Sequence, residues 1–208
     1  MALPIANVAK YELTLPSQQK NIAYRPFLVK EEKILLQALE SAKPEEMLTA
    51  VKEIVKACTF GTIEPDEYPI FDIEYIFLQI RSKSVGEIAK LKVLCPDDKK
   101  SYGNVDVDLT KVEVYVDDTH NNNIVLDESR KLGVVLKYPS LKMIDAGILK
   151  DDIKVAAMYE LIKKSVDHIY EGDKMYYAKD STPQELDDFI DSLTGEQMRN
   201  IQVFFSSM

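Results

Sequence analysis

Few residues in this sequence could carry out catalysis or hold a metal ion, and their spacing matches no established site. There are two histidines. His120 lies in an asparagine-rich turn, and His168 falls within a predicted amphipathic helix, so neither lies in a hydrolase or metalloprotease motif. The segment Cys95-Pro-Asp-Asp98 offers one thiolate where a zinc knuckle supplies two, and a structural zinc ion needs four ligands. The sequence therefore predicts no catalytic residue and no metal site.

Adjacent acidic residues are frequent, but such pairs are ordinarily solvated or placed at helix N-termini. A hydrolytic pair of carboxylates would need burial and two well-separated pKa values. The seven glycines form neither a dinucleotide-binding fingerprint nor a P-loop. We therefore expect that the protein is not an enzyme and binds no cofactor.

Composition indicates a folded acidic protein. The chain has 208 residues, of which 46% are hydrophobic and 29% are charged, and its formal net charge is −9. That charge disfavours binding to nucleic acid or to an anionic membrane surface unless a local basic patch exists. The lysines are interleaved with acids, as in Lys30-Glu-Glu-Lys33, so no nucleic-acid or membrane partner is predicted. Two cysteines and the lack of a signal peptide or long apolar run indicate a reducing cytoplasm.

Hydrophobic periodicity predicts an α+β fold with a mainly helical body, an inserted small antiparallel β unit and an extended N-terminal arm. Helices are predicted from Glu31, from Pro44, over about 71–83, over about 141–148 and over 152–170. Thr182-Pro-Gln-Glu185 and Thr194-Gly-Glu-Gln197 are capping boxes that predict two more helix starts. Alternating residues over 90–138 indicate short strands, including one at Val112–Val116.

These elements suggest four segments. Residues 1–29 contain three prolines and read as the arm, 30–89 as a helical part, 90–138 as the inserted β unit and 139–208 as a C-terminal helical part. The two helical parts are expected to form one body.

With these functions set aside, binding to other proteins is the main function that the sequence suggests. Tyr and Arg are enriched at binding hot spots because each combines a large contact area with a polar group. The candidate partner-binding residues are Tyr24, Arg25 and Phe27 on the arm, the pair Tyr176 and Tyr177, and the terminal pair Phe204 and Phe205. Arg25 and Phe27 are the strongest of these. The alternative is that the arm binds only to its own domain.

Several long segments resemble the baseplate hub assembly proteins of T4-like bacteriophages. They are Tyr11-Glu-Leu-Thr-Leu-Pro-Ser17, Ile22-Ala-Tyr-Arg-Pro-Phe-Leu-Val-Lys-Glu-Glu-Lys33, Asp72-Ile-Glu-Tyr-Ile-Phe-Leu-Gln-Ile-Arg-Ser-Lys-Ser-Val-Gly-Glu87, Val107-Asp-Leu109 and Leu136-Lys-Tyr-Pro139. Together with the order of the helices, they extend the resemblance over essentially the whole chain.

The resemblance implies a late viral protein that acts in tail assembly. Members of this family are chaperone-like factors or components of the baseplate hub, so the implied partners are other hub and tail proteins in the cytoplasm of an infected bacterium. The expected function is that of a non-enzymatic assembly factor. A structural hub subunit retained in the virion baseplate is the alternative. A hydrolase acting on the bacterial envelope is a third, which would require a buried carboxylate pair in a cleft.

Overall fold

The computed structural model describes residues 7–115, 117, 120–143 and 155–208. The chain divides into two compact units, residues 1–114 and 115–208. Six α-helices and eight β-strands lie in the described ranges. The segment boundaries predicted at residues 29, 89 and 138 stay predictions, and each unit is described by itself.

The first unit contains two β-hairpins and three helices. Its elements are β1 (Tyr11–Thr14), β2 (Asn21–Tyr24), α1 (Val29–Ser41), α2 (Pro44–Cys58), α3 (Ile70–Val85), β3 (Ile88–Leu94) and β4 (Tyr102–Asp108), with short 3-10 turns at Pro65–Glu67 and Leu109–Lys111. Pro44 begins α2 as predicted, because proline at the first helical position loses no hydrogen bond. Ile54 on α2 and Ile76 and Ile80 on α3 are fully buried and form the centre of this unit's core.

The predicted extended N-terminal arm is wrong. Strands β1 and β2 pair antiparallel, with Tyr11 opposite Tyr24, and make a hairpin. Leu13 and Ile22 are buried on one face of this hairpin. The prolines do not prevent pairing, because Pro16 lies in the connection between the strands, where no N–H is needed for a hydrogen bond between them.

The second unit contains a four-stranded antiparallel sheet and three helices. Its elements are β5 (Asn123–Asp127), β6 (Leu132–Leu136), α4 (Val155–Ser165), β7 (Val166–Glu171), β8 (Lys174–Tyr177), α5 (Pro183–Asp191) and α6 (Gly195–Ser206), with 3-10 turns at Leu141–Met143 and Ala178–Asp180. The strand order is β5-β6-β7-β8. One face of the sheet packs against the helices around Val134, Ile162 and Ile201. Strand residues alternate between faces, so the residues between them point to the other face, which these helices do not cover.

The predicted single inserted β unit is also wrong. Strands β3 and β4 form a sheet of their own in the first unit, whereas β5 and β6 belong to the four-stranded sheet of the second. Residues Val112–Tyr115 form no strand, and Val116 lies outside the described residues. The body is therefore a mixed fold with strands in both units, rather than a helical body with one insertion.

The predicted helix over 152–170 is correct only in part. Residues 152–154 lie outside the described ranges, α4 spans Val155–Ser165, and the chain passes directly into β7 at Val166. The spacing of Ile162, Val166 and Ile169 fits a helix, but residues 166–170 gain more by pairing with β6 and β8. Of the predicted helix over 141–148, residues 141–143 form a 3-10 turn and 144–148 lie outside the described residues.

Candidate interaction surfaces

Arg25 lies in a buried ion pair inside the first unit. Its Nη2 is 2.9 Å from Oε1 of Glu31, and the two side chains are 11% and 3% exposed. Nη1 also donates to the carbonyl oxygen of Pro26 at 2.9 Å. The other oxygen of Glu31 accepts the N–H of Leu28 at 2.8 Å, at the start of α1. The pair therefore fastens the end of the N-terminal hairpin to the first helix.

The charge state of Glu31 follows from these contacts. Burial alone would raise the pKa of Glu31, but the hydrogen bonds from Arg25 and from the Leu28 N–H outweigh burial and hold that pKa below its usual value. Glu31 is therefore ionised at neutral pH, and Arg25 is its main counter-charge.

The other residues predicted on the arm are also held by the protein itself. Tyr24 is 2% exposed, and its ring lies 5.7 Å from that of Tyr11. Phe27 is half-buried, and its N–H donates to the Ser84 hydroxyl at 2.9 Å. Of the three predicted residues, Phe27 is the one whose side chain could still be reached by a partner. A partner-binding role for Tyr24, Arg25 and Phe27 stays a prediction.

The β3–β4 hairpin presents an uncovered apolar face. The register pairs Leu91 with Val105 and Lys90 with Asp106. One face therefore carries only apolar residues and glycine: Ala89, Leu91, Val93, Gly103, Val105 and Val107. Ala89, near the base, is buried, but Leu91, Val93 and Val105 are between 44% and 48% exposed. Sequence alternation predicted the strands, but only the pairing register shows that their apolar residues share one face.

Tyr176 and Tyr177 lie on the edge strand β8 and are both exposed. Adjacent strand residues point to opposite faces. Tyr176 stands opposite Ile169 on the core side, whereas Tyr177 stands opposite His168 on the open side. The rings of Tyr177 and His168 are 5.5 Å apart, so the two tyrosines serve different surfaces.

A cleft of about 460 Å³ opens in the second unit between the sheet and helices α5 and α6. Its apolar lining comes from Leu132, Ile169, Leu186, Phe189 and Leu193, and Tyr176 also borders it. The charged residues that line it are Asp127, Arg130, Glu171 and Glu185. No sequence motif indicated this cleft, because its residues come from six helices and strands and are separated by up to seventy positions.

The terminal aromatic pair is divided between core and surface. Phe204 is 2% exposed and stacks on His120 and Tyr138, with ring centroids 5.0 and 5.6 Å away. Phe205 is half-buried and packs edge-on against Phe204. Nδ1 of His120 hydrogen-bonds the Ser207 hydroxyl at 2.8 Å. His120 therefore closes the aromatic core of this unit, and is not merely a turn residue.

Asp98 and Cys58 are two residues of types that occur in catalytic or metal-binding sites. The Asp98 carboxylate accepts from the Ser101 hydroxyl and from two backbone N–H groups in the β3–β4 turn, which lowers its pKa to about 2. Burial raises the pKa of the Cys58 thiol to about 11, so it stays protonated at neutral pH. In the described part of the chain, no three His, Cys, Asp or Glu side chains are grouped to hold a metal ion. No helix there is both long and apolar enough to cross a membrane.

Compared with known protein families, residues 8–208 match the family described as T4 bacteriophage base plate protein. A search of curated proteins found no match, and neither did a search of solved structures.

Proposed function

Since the chain belongs to the T4 bacteriophage base plate protein family, we propose that it is a non-enzymatic, chaperone-like assembly factor for the central hub of the contractile-tail baseplate. It acts by binding other hub proteins in the infected cell. The resemblance of segments such as Asp72–Glu87 to hub assembly proteins supports the hub as its place of action.

The observation that carries this proposal is the uncovered apolar face of the β3–β4 hairpin. A two-stranded hairpin is marginally stable in water unless its apolar face is covered. Here Leu91, Val93 and Val105 remain about half exposed. Exposed apolar surface of this kind is typical of protein–protein binding sites. A second protein that packs on this face would stabilise the hairpin and be held by it.

An assembly role follows from the chemistry of such a contact. By covering an apolar surface of an unassembled hub subunit, the hairpin would prevent that subunit from associating prematurely. Release would occur when a later subunit competes for the same surface. This sequence needs no catalytic group.

The alternative is a structural subunit that stays in the virion baseplate. It is favoured by the family description, which names a base plate protein rather than an assembly factor. The same hairpin face would then make a permanent contact. Only the fate of the protein after assembly distinguishes the two functions.

The test is a tagged pull-down from infected cells with two matched pairs of substitutions. Leu91→Ser with Val105→Ser removes a cross-strand pair from the apolar face, and Lys92→Ser with Asn104→Ser removes the next pair, on the opposite face. We expect the first variant to capture hub proteins at least tenfold less than wild type, and the second to stay within twofold. Circular dichroism checks that both variants are folded.

Mass spectrometry of purified virions then separates the alternatives. Capture from lysate together with absence from virions supports the assembly factor, whereas stoichiometric presence in virions supports the structural subunit. Failure of the wild-type chain to capture any tail protein would refute both.

A further inference from the structure

The cleft in the second unit combines an apolar floor with an acidic rim. Leu186, Phe189 and Leu193 on the α5–α6 side are half-buried and pack against the core from the side of the cleft. Its volume of about 460 Å³ lies within the range of small ligand-binding sites, which hold a few side chains at most. It is therefore too small for a folded element and large enough for a short peptide segment.

Three carboxylates on the rim each use one oxygen for the protein's own structure. Oδ1 of Asp127 accepts the N–H groups of Ser129 and Arg130 at 2.9 and 3.1 Å. Oε1 of Glu171 accepts from Nη2 and Nε of Arg130 at 2.7 and 3.1 Å. Oε2 of Glu185 accepts the N–H of Thr182 at 2.7 Å.

The second oxygen of each carboxylate keeps its capacity to accept hydrogen bonds. Among the described residues, no hydrogen bond reaches Oδ2 of Asp127, Oε2 of Glu171 or Oε1 of Glu185. An ionised carboxylate offers about four acceptor positions, so each of these groups can bind an incoming cation without giving up its present role. Of the described residues that line the cleft, Arg130 is the single basic one.

We infer that this cleft binds a short segment of another baseplate protein in which an apolar side chain is flanked by lysine or arginine. The inference rests on the proposed function for the class of partner. The apolar side chain enters between Phe189 and Leu193, and the flanking cation meets the free carboxylate oxygens on the rim. Tyr176 on the edge strand adds an exposed aromatic surface beside the segment.

Charge decides between this occupant and a second copy of the chain. The formal net charge of −9 means that two copies repel each other at low ionic strength. The rim is itself acidic, so it favours a partner of opposite charge. The occupant is therefore expected to be basic and to come from a different protein.

The experiment probes purified full-length chain with an array of overlapping 15-residue peptides that cover the baseplate proteins of the same phage. The cleft variant carries Asp127→Asn, Glu171→Gln and Glu185→Gln. It loses three negative charges and keeps one acceptor oxygen on each side chain, and glutamine preserves the capping box at Thr182. The matched control carries Asp188→Asn, Asp191→Asn and Glu196→Gln, which removes the same charge from residues that do not line the cleft.

We expect the wild-type chain to retain peptides in which lysine or arginine flanks a large apolar residue. For the best peptides, measured by fluorescence anisotropy, we expect the affinity to fall five- to tenfold in the cleft variant and to stay within twofold in the control. Tyr176→Ala should weaken the same peptides.

Several results would overturn the inference. If both triple variants lost peptide affinity equally, the negative charge of the whole molecule, and not the cleft, would be what attracts the peptides. A dimer in gel filtration that the cleft variant abolishes would assign the cleft to a second copy. Failure to retain any peptide, while hub proteins are still captured from infected cells, would reject the cleft and leave the proposed function standing. Failure of both experiments would reject the proposed function together with the inference.

Discussion

At the scale of single residues, the Arg25–Glu31 ion pair shows that a residue type common at binding sites can stabilise the fold. Arginine is selected at interfaces for its planar charge and its several donors. Here the same donors reach Glu31 and a backbone carbonyl within the unit. Because both side chains are almost inaccessible to solvent, removal of one of them leaves the other without its buried charge partner.

We predict that Arg25→Ala destabilises the first unit by about 3–5 kcal/mol, the usual cost of leaving a buried charge unpaired. Urea denaturation followed by circular dichroism measures this loss. Lys30→Ala is the control, because Lys30 also lies 3.3 Å from Glu31 but is largely exposed, and surface pairs contribute roughly 0–1 kcal/mol. Equal destabilisation by the two substitutions would contradict the assignment of Arg25 as the main partner.

The lowered pKa of Glu31 gives stability a defined pH dependence. A carboxylate whose pKa is lower in the folded state contributes stability above its unfolded pKa, near 4.5, and loses it as the pH falls through the folded pKa. We therefore predict that Glu31→Gln is less stable than wild type at pH 7, and that the difference shrinks below pH 4.5. Unfolding free energies at pH 7 and pH 3 provide the comparison. If the stability difference between wild type and Glu31→Gln instead grew on acidification, the ionised Glu31 carboxylate could not be its cause.

At the scale of elements, strand β6 depends on a glycine that lies beneath an aromatic ring. A Cβ at Gly133 would overlap the hydroxyl end of Tyr170 on the neighbouring strand β7. That hydroxyl donates to Oδ1 of Asn123 on β5 at 2.9 Å. Tyr170 thus spans three strands, and the missing side chain at Gly133 makes room for it.

We predict that Gly133→Ala displaces the Tyr170 ring and destabilises the second unit by about 1–3 kcal/mol, as overpacking does. Gly103→Ala on β4 is the control, because a Cβ there meets nothing within 4 Å. In a Tyr170→Ala background the cost of Gly133→Ala should largely disappear, and a double-mutant cycle measures that coupling. Additive effects of the two substitutions would disprove the contact as the cause.

Elements defined by local signals were predictable from the sequence, whereas those defined by pairing were not. Pro44 and the two threonine capping boxes mark helix starts because their effects are local, and all three starts are confirmed. Strand β7 was predicted as helix, since the spacing of Val166 and Ile169 fits the helical period. Pairing with β6 and β8, with a register shift next to Val166, makes the segment a strand, and that pairing is not a local signal. The cleft and the apolar face of the β3–β4 hairpin depend on how separate segments pair and pack. Composition and periodicity give no information about that pairing.

At the scale of the whole molecule, each unit has a core of its own. Ile54 is fully buried in the first unit, and Ile162 is 1% exposed in the second. Units with separate cores can unfold separately, so the two-state description need not hold for the full chain. The hairpin face belongs to the first unit and the cleft to the second, so the two proposed contacts can be examined one at a time.

We predict two unfolding transitions in differential scanning calorimetry. Ile54→Ala and Ile162→Ala each remove a buried side chain at a cost of about 2–5 kcal/mol. Each substitution should lower the midpoint of one transition and leave the other within about 1–2 °C, which is less than the shift that 1 kcal/mol produces. A single transition that both variants shift by the same amount would show that the units unfold together.

The open hairpin face also has a consequence for how the free protein behaves in solution. Mutual repulsion between acidic copies opposes their association through Leu91, Val93 and Val105, but that repulsion extends only over the Debye length, about 10 Å at 0.1 M salt and about 3 Å at 1 M. Apolar contacts do not weaken in the same way, and strongly hydrated salts strengthen them. Rising ionic strength therefore shifts the balance from dispersed molecules toward aggregation. The protein is best kept dilute and at low salt until a partner covers the hairpin.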